Sequence, residues 1–429
     1  MQKKIVIIGA GFAGLKLARK LHNADYHITI IDIHNFHQFQ PLFYQVASAR
    51  LEATAISFPL RRIFQGKRNV NVRVGMIRRI DTEAKKVFTR HNIYDYDYLV
   101  IATGCTNNFF GNENIEQYAF PMKSTNQAIA LRNKILLNFE ASLSARTPAD
   151  KEAYNNITIV GGGPTGVELA GALAEMKTKV LPKDYPLIDF SNLGINLIEG
   201  SPSTLSSMSE KSQKNSRRYL EEMGIKIQTN IHVTDYDGDV VTLENGTKIR
   251  SKTLIWAAGV IGNVPAGIPK ECITRGNRLI VNEFHQVKDL EDVYAIGDIS
   301  YLETPEWPKG QPQLAHVANK QAEHLAKNFE AMLKGRKPTA FTYKNPGTMA
   351  TIGKRKAVVD LPRLHFHGRL AWLIWMFLHL MLILGVRNKL LVFINWMISY
   401  FTNDSTLRII LLPSKKQTWL GQEYDELSV

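Results

Sequence analysis

Short β-branched apolar runs and helical periodicity alternate along the chain, and the alternation occurs twice in the same form. Ile5–Ile8 is an unbroken apolar run, followed at once by Gly9-Ala10-Gly11-Phe12-Ala13-Gly14, a helical stretch Leu15–Leu21, and a second run His27–Ile31 that closes on Asp32. A run without polar alternation is what a parallel strand buried on both faces requires. The order strand, glycine turn, helix, strand predicts a βαβ unit. It returns as Ile157–Val160, Gly161-Gly162-Gly163-Pro164-Thr165-Gly166, the helical Val167–Met176, and Ile195–Ile198 closing on Glu199. The second copy is longer, and Lys179–Leu193, with Pro182 and Pro186, reads as an inserted loop. Further strands are predicted at Tyr98–Ala102, running into Thr103-Gly104, at Thr253–Ala257, running into Ala258-Gly259, and at Val293–Ile296, running into Gly297-Asp298. Ala315–Leu333 reads as a long helix.

This pattern predicts an α/β protein with two Rossmann-like dinucleotide-binding domains, the second inserted into the first. The divisions expected are 1–115 and 255–340 for the split domain, 116–254 for the inserted one, and 341–429 for a C-terminal region of different character. In each GxGxxG turn the first glycine permits the tight turn, the second lets the backbone approach a pyrophosphate, and the third lets helix and strand pack closely. The pyrophosphate then meets the free N–H groups of a helix N-terminus. Asp32 and Glu199 are placed to accept hydrogen bonds from ribose hydroxyls. A carboxylate there repels a 2′-phosphate, and the Gly-Ser-Pro-Ser-Thr after Glu199 has no arginine to receive one, so the second site should prefer NADH to NADPH.

From about Arg369 the pattern changes. Leu370–Val386 is apolar on every side except for His379, and Leu390–Phe401 is apolar again after Arg387-Asn388-Lys389, which reads as an interruption. As a helix the first stretch is about 26 Å long, short of a ~30 Å hydrocarbon core. It could span, lie in the interface, or pack as a buried helix pair. Trp372, Trp375, Trp396 and Tyr400 favour a monotopic anchor at the membrane–water interface. Part of the same surface could serve a homodimer.

The net charge of +14 allows nucleic acid, anionic lipid or an anionic substrate as partner. No helix-turn-helix, RNP or zinc-finger pattern supports nucleic acid, whereas an anionic membrane surface fits the aromatic tail. The two cysteines, Cys105 and Cys272, are far apart and form no CxxC. This disfavours a disulfide framework, a metal site and a dithiol relay, and suits a reducing cytoplasmic compartment. The N-terminal apolar run is short and reads as a first strand, not a targeting segment.

The chain resembles the type II NADH:quinone oxidoreductases of the two-dinucleotide-binding flavoprotein superfamily. The resemblance is carried by VIIGAGFAGL (6–15), HNFHQFQPLFYQVAS (34–48), YLVIATG (98–104), IVGGGPTGVELAG (159–171), LIWAAGV (254–260), VYAIGD (293–298) and TMATIGKRKAVVD (348–360). It implies FAD held by the first fingerprint with Asp32, the Ala102-Thr103-Gly104 turn, Gly297, Asp298 and Ala315. It implies NADH held by Gly161, Gly163, Pro164, Thr165, Gly166, Glu199, Ala258 and Gly259. Glu168 matches a family glutamate near nicotinamide and flavin. The family's AQxAxQ motif falls on Ala315–Lys320, where His316 and Lys320 replace both glutamines; His316 could give a proton to a quinone oxygen. The implied cycle passes a hydride from NADH to FAD and two electrons on to a quinone, from the cytoplasmic face of the cell membrane. Two other enzymes, a sulfide:quinone oxidoreductase and a soluble NADH-dependent flavin reductase, share the architecture. The first needs a reactive cysteine pair that Cys105 and Cys272 do not obviously supply. A nucleotide-binding sensor without turnover is a third alternative.

Overall fold

The computed structural model describes residues 2–402 and 407–411, apart from the side chain of Asn192. The remainder of the C-terminal region, 403–406 and 412–429, lies outside the described residues. The first apolar run is β1 (Lys3–Ile8), followed by α1 (Phe12–Leu21) and β2 (Tyr26–Asp32). Next come α2 (Phe43–Ala47), β3 (Val70–Val74) and β4 (Tyr98–Ile101). The second set is β5 (Phe120–Pro121), α3 (Thr125–Ser144), β6 (Ile157–Val160), α4 (Pro164–Lys179), β7 (Ile195–Glu199), α5 (Glu210–Glu222), β8 (Lys226–Thr229) and β9 (Thr253–Trp256). Then β10 (Val293–Ala295) and α6 (Ala315–Leu333) lead to β11 (Thr348–Thr351), β12 (Ala357–Asp360), β13 (His365–His367), α7 (Gly368–Leu382) and α8 (Val386–Thr402).

Two five-stranded sheets result, and both are wholly parallel. One runs β10-β4-β1-β2-β3 and takes its outer strand β10 from beyond the second sheet in sequence. The other runs β5-β9-β6-β7-β8. In each, the fingerprint strand is central and every residue of β4, β6 and β9 is buried. Parallel strands joined by crossover helices must be covered on both faces, which the unbroken apolar runs satisfy. One face of the first sheet is covered by α1 and α6, which bury Leu17, Leu21, Leu325 and Phe329 together. Cys105–Asn107 and Val260–Gly262 pair antiparallel where the chain crosses between the sheets.

Two local expectations are corrected. Lys179–Leu193 is not all loop: Leu181–Asp184 forms a helical turn and Phe190–Asn192 a 3-10 turn, with Leu181 and Phe190 buried against Phe139 and its neighbours. The break in the apolar tail falls at Ile383–Gly385, where Gly385 adopts φ +73°, and not at Arg387-Asn388-Lys389, which lies inside α8. A residue in the left-handed region ends a helix, whereas polar side chains on an exposed turn do not. In α7 and α8 one face is packed: Ala371, Trp375 and Val392 are buried. Leu373, Phe377, Leu382, Leu390, Ile394 and Phe401 are each about half or more exposed. The pair is therefore not a buried core hairpin. Among the described residues no helix is long and apolar enough to cross a membrane.

Candidate functional site

The two fingerprint turns are built alike. Gly9 (φ +98°) and Gly161 (φ +110°) take a backbone conformation that L side chains rarely adopt. A Cβ on either would lie 2.3 Å from the Ala102 carbonyl oxygen or 2.6 Å from that of Ala257. A Cβ on Gly14 or Gly166 would lie 1.9 Å from the carbonyl oxygen of Gly9 or Gly161, so both helices can seat on their strands only with glycine there. The middle glycines, Gly11 and Gly163, have open space where a Cβ would point.

Each strand-end carboxylate is aimed by two backbone donors. Ala10 N donates to Asp32 Oδ2 at 2.6 Å and His34 N to Oδ1 at 2.7 Å. Gly162 N and Ser201 N bind the two oxygens of Glu199 in the same way. Burial raises the pKa of Asp32, and the Ala10 and His34 amides oppose that rise.

The two fingerprint helices differ in capping from several other helices of the chain. Ser124, Thr147 and Ser209 cap their helices with side-chain oxygens. Gly11 and Gly163 offer no side chain, so the first-turn N–H groups of Phe12, Ala13 and Gly14, and of Thr165 and Gly166, have no such partner. Pro164 has no N–H to give. An uncapped helix N-terminus beside an open glycine fits a pyrophosphate. The same holds for α6, whose N-cap Leu314 also gives no side-chain bond. It abuts the Gly297-Asp298 turn: Gly297 N donates to Gln321 Oε1 at 2.6 Å, and Gln313 Nε2 donates to the Asp298 carbonyl oxygen at 3.1 Å. Thr103, Gly104 (φ +69°), Ala258 and Gly259 (φ +70°) form the matching turns after β4 and β9. Thr103 Oγ1 donates to the Asn263 carbonyl oxygen at 2.6 Å.

The segment 34–48 folds over the first turn. Phe12 meets His37 and Phe39 edge-on at 5.2 and 5.9 Å. Burial lowers the His37 pKa to about 4, so a neutral imidazole donates from Nδ1 to the Ala10 carbonyl oxygen at 2.9 Å. The same segment carries Tyr44, Gln45 and Ser48 to the wall of a cavity. The opposite walls are Glu175 and Met176 of α4, Thr351 of β11, and Trp372, Trp375, Trp396 and Tyr400 of the C-terminal helices. Sequence reading missed this cavity, because its walls are brought together from four distant segments. Only the tryptophans of 370–401 gave a signal, and they were read as interfacial anchors.

Glu168 stands beside the cavity on α4. Burial pushes its pKa up to about 8, against the Thr351 amide, 3.4 Å from Oε1, and the Trp375 indole. Its carboxyl therefore holds a proton through neutrality. Two turns on, Glu175 behaves oppositely. Burial acts to raise it, but its ion pair with Arg50 and the Lys354 amide hold it below the ordinary value. Tyr44 is buried next to Glu168, and burial followed by the Glu168 charge pushes its phenol well up.

His316 and Lys320 do not line this cavity. His316 packs on Tyr343 at 5.8 Å, and burial followed by the Lys320 charge lowers its pKa. Lys320 pairs with Glu323 at 3.1 Å, which also binds Lys16 of α1 at 2.8 Å. The cysteines are not a pair. Cys105 Sγ lies 3.2 Å from Asp298 Oδ2 and 3.3 Å from Lys123 Nζ, while Cys272 donates to the Lys288 carbonyl oxygen. Burial, then the Asp298 charge, pushes the Cys105 thiol up to about 12, far from a reactive thiolate.

Comparison with known proteins agrees with this geometry. The pattern of the pyridine nucleotide-disulphide oxidoreductases matches residues 3–322, and that of the NDH2 C-terminal domain matches 346–403. The type II NADH:quinone oxidoreductase NdhA of Mycobacterium tuberculosis is 34% identical over 416 residues, covering 92% of this chain and 87% of the relative. The type II NADH:quinone oxidoreductase Ndh of the same organism is 32% identical over 440 residues, covering 99% and 93%. Among solved structures, NDH2 of Plasmodium falciparum in complex with NADH has the same fold, with a TM-score of 0.88 at 21% identity, over 96% of this chain and all of that one. The sulfide:quinone oxidoreductase of Aquifex aeolicus is less similar, with a TM-score of 0.73 at 20% identity over 94% and 96%. With the duplicated cradle, the separated cysteines and these likenesses together, the chain belongs to the type II NADH:quinone oxidoreductases.

Proposed function

We propose that this chain oxidises NADH with a quinone, holding FAD in the first cradle and NADH in the second. The observation that carries the assignment is the pair of uncapped glycine turns, each facing an oriented carboxylate, with the cavity beside Glu168 next to them. When bound, FAD would supply the redox chemistry between NADH and the quinone. The protein's part is to bind, orient and exclude water.

The split unit 1–115 with 255–340 would hold FAD through Gly9, Gly11, the first-turn amides of Phe12, Ala13 and Gly14, Asp32, Ala102, Thr103, Gly104, Gly297, Asp298 and Ala315. The unit 116–254, with Ala258 and Gly259 just beyond it, would hold NADH through Gly161, Gly163, Pro164, Thr165, Gly166 and Glu199. The open end of α6 is oriented to favour negative charge near the Gly297-Asp298 turn. Glu168, protonated at neutrality, keeps a proton at its carboxyl oxygens beside the cavity, available to a reduced quinone. His316 and Lys320 stand outside the cavity wall, so we assign them electrostatic support at the α6 end and no contact with quinone there.

Region 341–429 would anchor the enzyme peripherally on the cytoplasmic side of the membrane. The exposed faces of α7 and α8 support this, since a contiguous apolar surface on a soluble protein marks an interaction site. The net charge of +14 suits an anionic lipid surface. Part of the same face would serve a homodimer. Anaerobic mixing with NADH should bleach the flavin, and either a ubiquinone or a menaquinone analogue should restore it. A flavin that bleaches but is restored by neither quinone would reduce the enzyme to a diaphorase. One that never bleaches would leave only a nucleotide-binding protein.

A further inference from the structure

A large apolar side chain stands exposed at the rim of the second cradle, on a backbone conformation that does not suit it. Phe110 is 69% exposed. Phe110 and Gly111 are the central residues of a turn closed by Asn112 N, which donates to the Phe109 carbonyl oxygen at 3.1 Å. Their φ angles are +54° and +76°. Positive φ at both central positions marks a type I′ turn, whose first central position favours asparagine, aspartate or glycine. Phenylalanine is strained there, and a ring so exposed recovers little of that cost by burial. Residues kept in such conformations cluster at ligand sites.

The turn is fixed to the cradle. Phe110 N donates to Asn108 Oδ1 at 2.9 Å, and Trp256 Nε1, from the last residue of β9, donates to the Asn108 carbonyl oxygen at 2.9 Å. The Trp256 ring is buried and meets Phe110 edge-on at 6.4 Å. The tip of the Phe110 ring lies over Gly259, where a Cβ would stand 2.7 Å from Phe110 Cζ. The turn after β9 also adjoins the first glycine of the fingerprint, since a Cβ on Gly161 would stand 2.6 Å from the Ala257 carbonyl oxygen. The sheet order then says which half of a dinucleotide comes near. Glu199 ends β7 on one side of the central β6, and Gly259 follows β9 on the other. With the pyrophosphate at the start of α4 and the adenosine ribose at Glu199, the nicotinamide half extends toward β9 and Phe110.

We propose that Phe110 is an NADH-binding residue, which packs its ring on the nicotinamide riboside as it crosses the Gly259 turn. This rests on the reading that NADH occupies the second cradle. The exposed ring gains a planar partner and loses its contact with water when the dinucleotide arrives. Gly259, without a side chain, leaves the space in which the ring and the dinucleotide meet.

The test uses the full-length, FAD-loaded enzyme, mixed anaerobically with NADH over a range of concentrations while flavin bleaching is followed. Phe110→Asn removes the ring and supplies a residue that the turn prefers; Phe110→Tyr keeps the ring. In Phe110→Asn the NADH concentration for half-maximal bleaching rate should rise about three- to tenfold, the loss of one aromatic contact. Its thermal midpoint should stay at or above the native value, because the strain is relieved. Phe110→Tyr should restore native half-saturation, and the quinone KM should be native in both. Native half-saturation in Phe110→Asn, beside a raised one in Glu199→Ala, overturns the inference and leaves the cradle reading standing. A thermal midpoint below native in Phe110→Asn also overturns it, because the ring is then there for the fold. If Glu199→Ala and Phe110→Asn both bleach with native half-saturation, the reading that NADH occupies the second cradle falls as well.

Discussion

Glu168 should cost the fold stability at neutral pH, and Glu168→Gln should recover it. A carboxyl whose folded pKa is about 8, against an ordinary value of 4.5, binds its proton more tightly folded than unfolded. Below the lower value both states are protonated and nothing is gained or lost. Between the two values the unfolded chain releases its proton and the folded one keeps it, so stability falls as pH rises. Above the upper value the whole penalty is present. The slope within the window is about 1.4 kcal/mol per pH unit, so from about pH 5.5 to about pH 7.5 the native enzyme should lose about 2.7 kcal/mol relative to the variant. Glutamine has nearly the same shape, cannot ionise, and can still accept from the Thr351 amide. Urea unfolding of both proteins at saturating FAD, at those two pH values, measures the gap between them. A gap that does not widen toward higher pH refutes the argument that Glu168 is held protonated by burial. A gap that widens while quinone turnover falls identifies the strained carboxyl as one retained for function.

Three further outcomes follow from the geometry. Gly166→Ala places a methyl group 1.9 Å from the Gly161 carbonyl oxygen, which only backbone displacement can relieve. The enzyme should keep its flavin, seated in the other cradle, while the rate of bleaching by NADH collapses; an unaffected rate would mean that NADH does not use this turn. Glu199→Ala removes the acceptor for the ribose hydroxyls, so the NADH KM should rise about tenfold, and discrimination against NADPH should shrink when the two are compared side by side. Leu373→Asp with Phe377→Asp alters two side chains that are 56% and 62% exposed. Half-burial of each in lipid is worth about 1 kcal/mol, so co-sedimentation with anionic vesicles should weaken by at least about tenfold, with soluble NADH-dependent flavin bleaching unchanged. Equal sedimentation of the double variant would remove α7 from the membrane contact.

What could be read from sequence was what local chemistry dictates. Gly14 and Gly166 are required by contacts with the turn five residues earlier, and Gly9 and Gly161 by the neighbouring strand ends at Ala102 and Ala257, so the glycine spacing exposed both βαβ units while the strand order of the sheets came only from the structure. The end of α7 was misplaced for a related reason. Arg387, Asn388 and Lys389 look like a break by polarity, but an exposed helical turn tolerates them, and the break belongs to the backbone conformation of Gly385. Polarity reports exposure, not where a helix ends. Leu181 and Phe190 show the converse: prolines nearby suggested loop, while burial against Phe139 folds the segment into two short turns.

The cavity was beyond local chemistry altogether. Trp375 and Trp396 carry the same residue type and fall in the same apolar stretch, and the pattern assigns both to an interface with lipid. Their different roles depend on partners hundreds of residues away. Trp396 donates to Gln45, while Trp375 is wedged between His379 and Tyr44 with its indole against Glu168. The two faces of these helices therefore differ. The outward face remains apolar and exposed, whereas the inward face completes the cavity wall that α4 and the 43–50 segment leave open. On the proposed reading, the element that meets the bilayer would also form the acceptor site, and a lipid-soluble acceptor would need no separate tunnel through the two dinucleotide-binding units. If Leu373→Asp with Phe377→Asp loses vesicle binding and keeps its quinone KM in detergent, the two faces are independent. If Leu373→Asp with Phe377→Asp also shifts the quinone KM in detergent, the outward face sets the position of Trp375, and anchoring and substrate binding are coupled through α7.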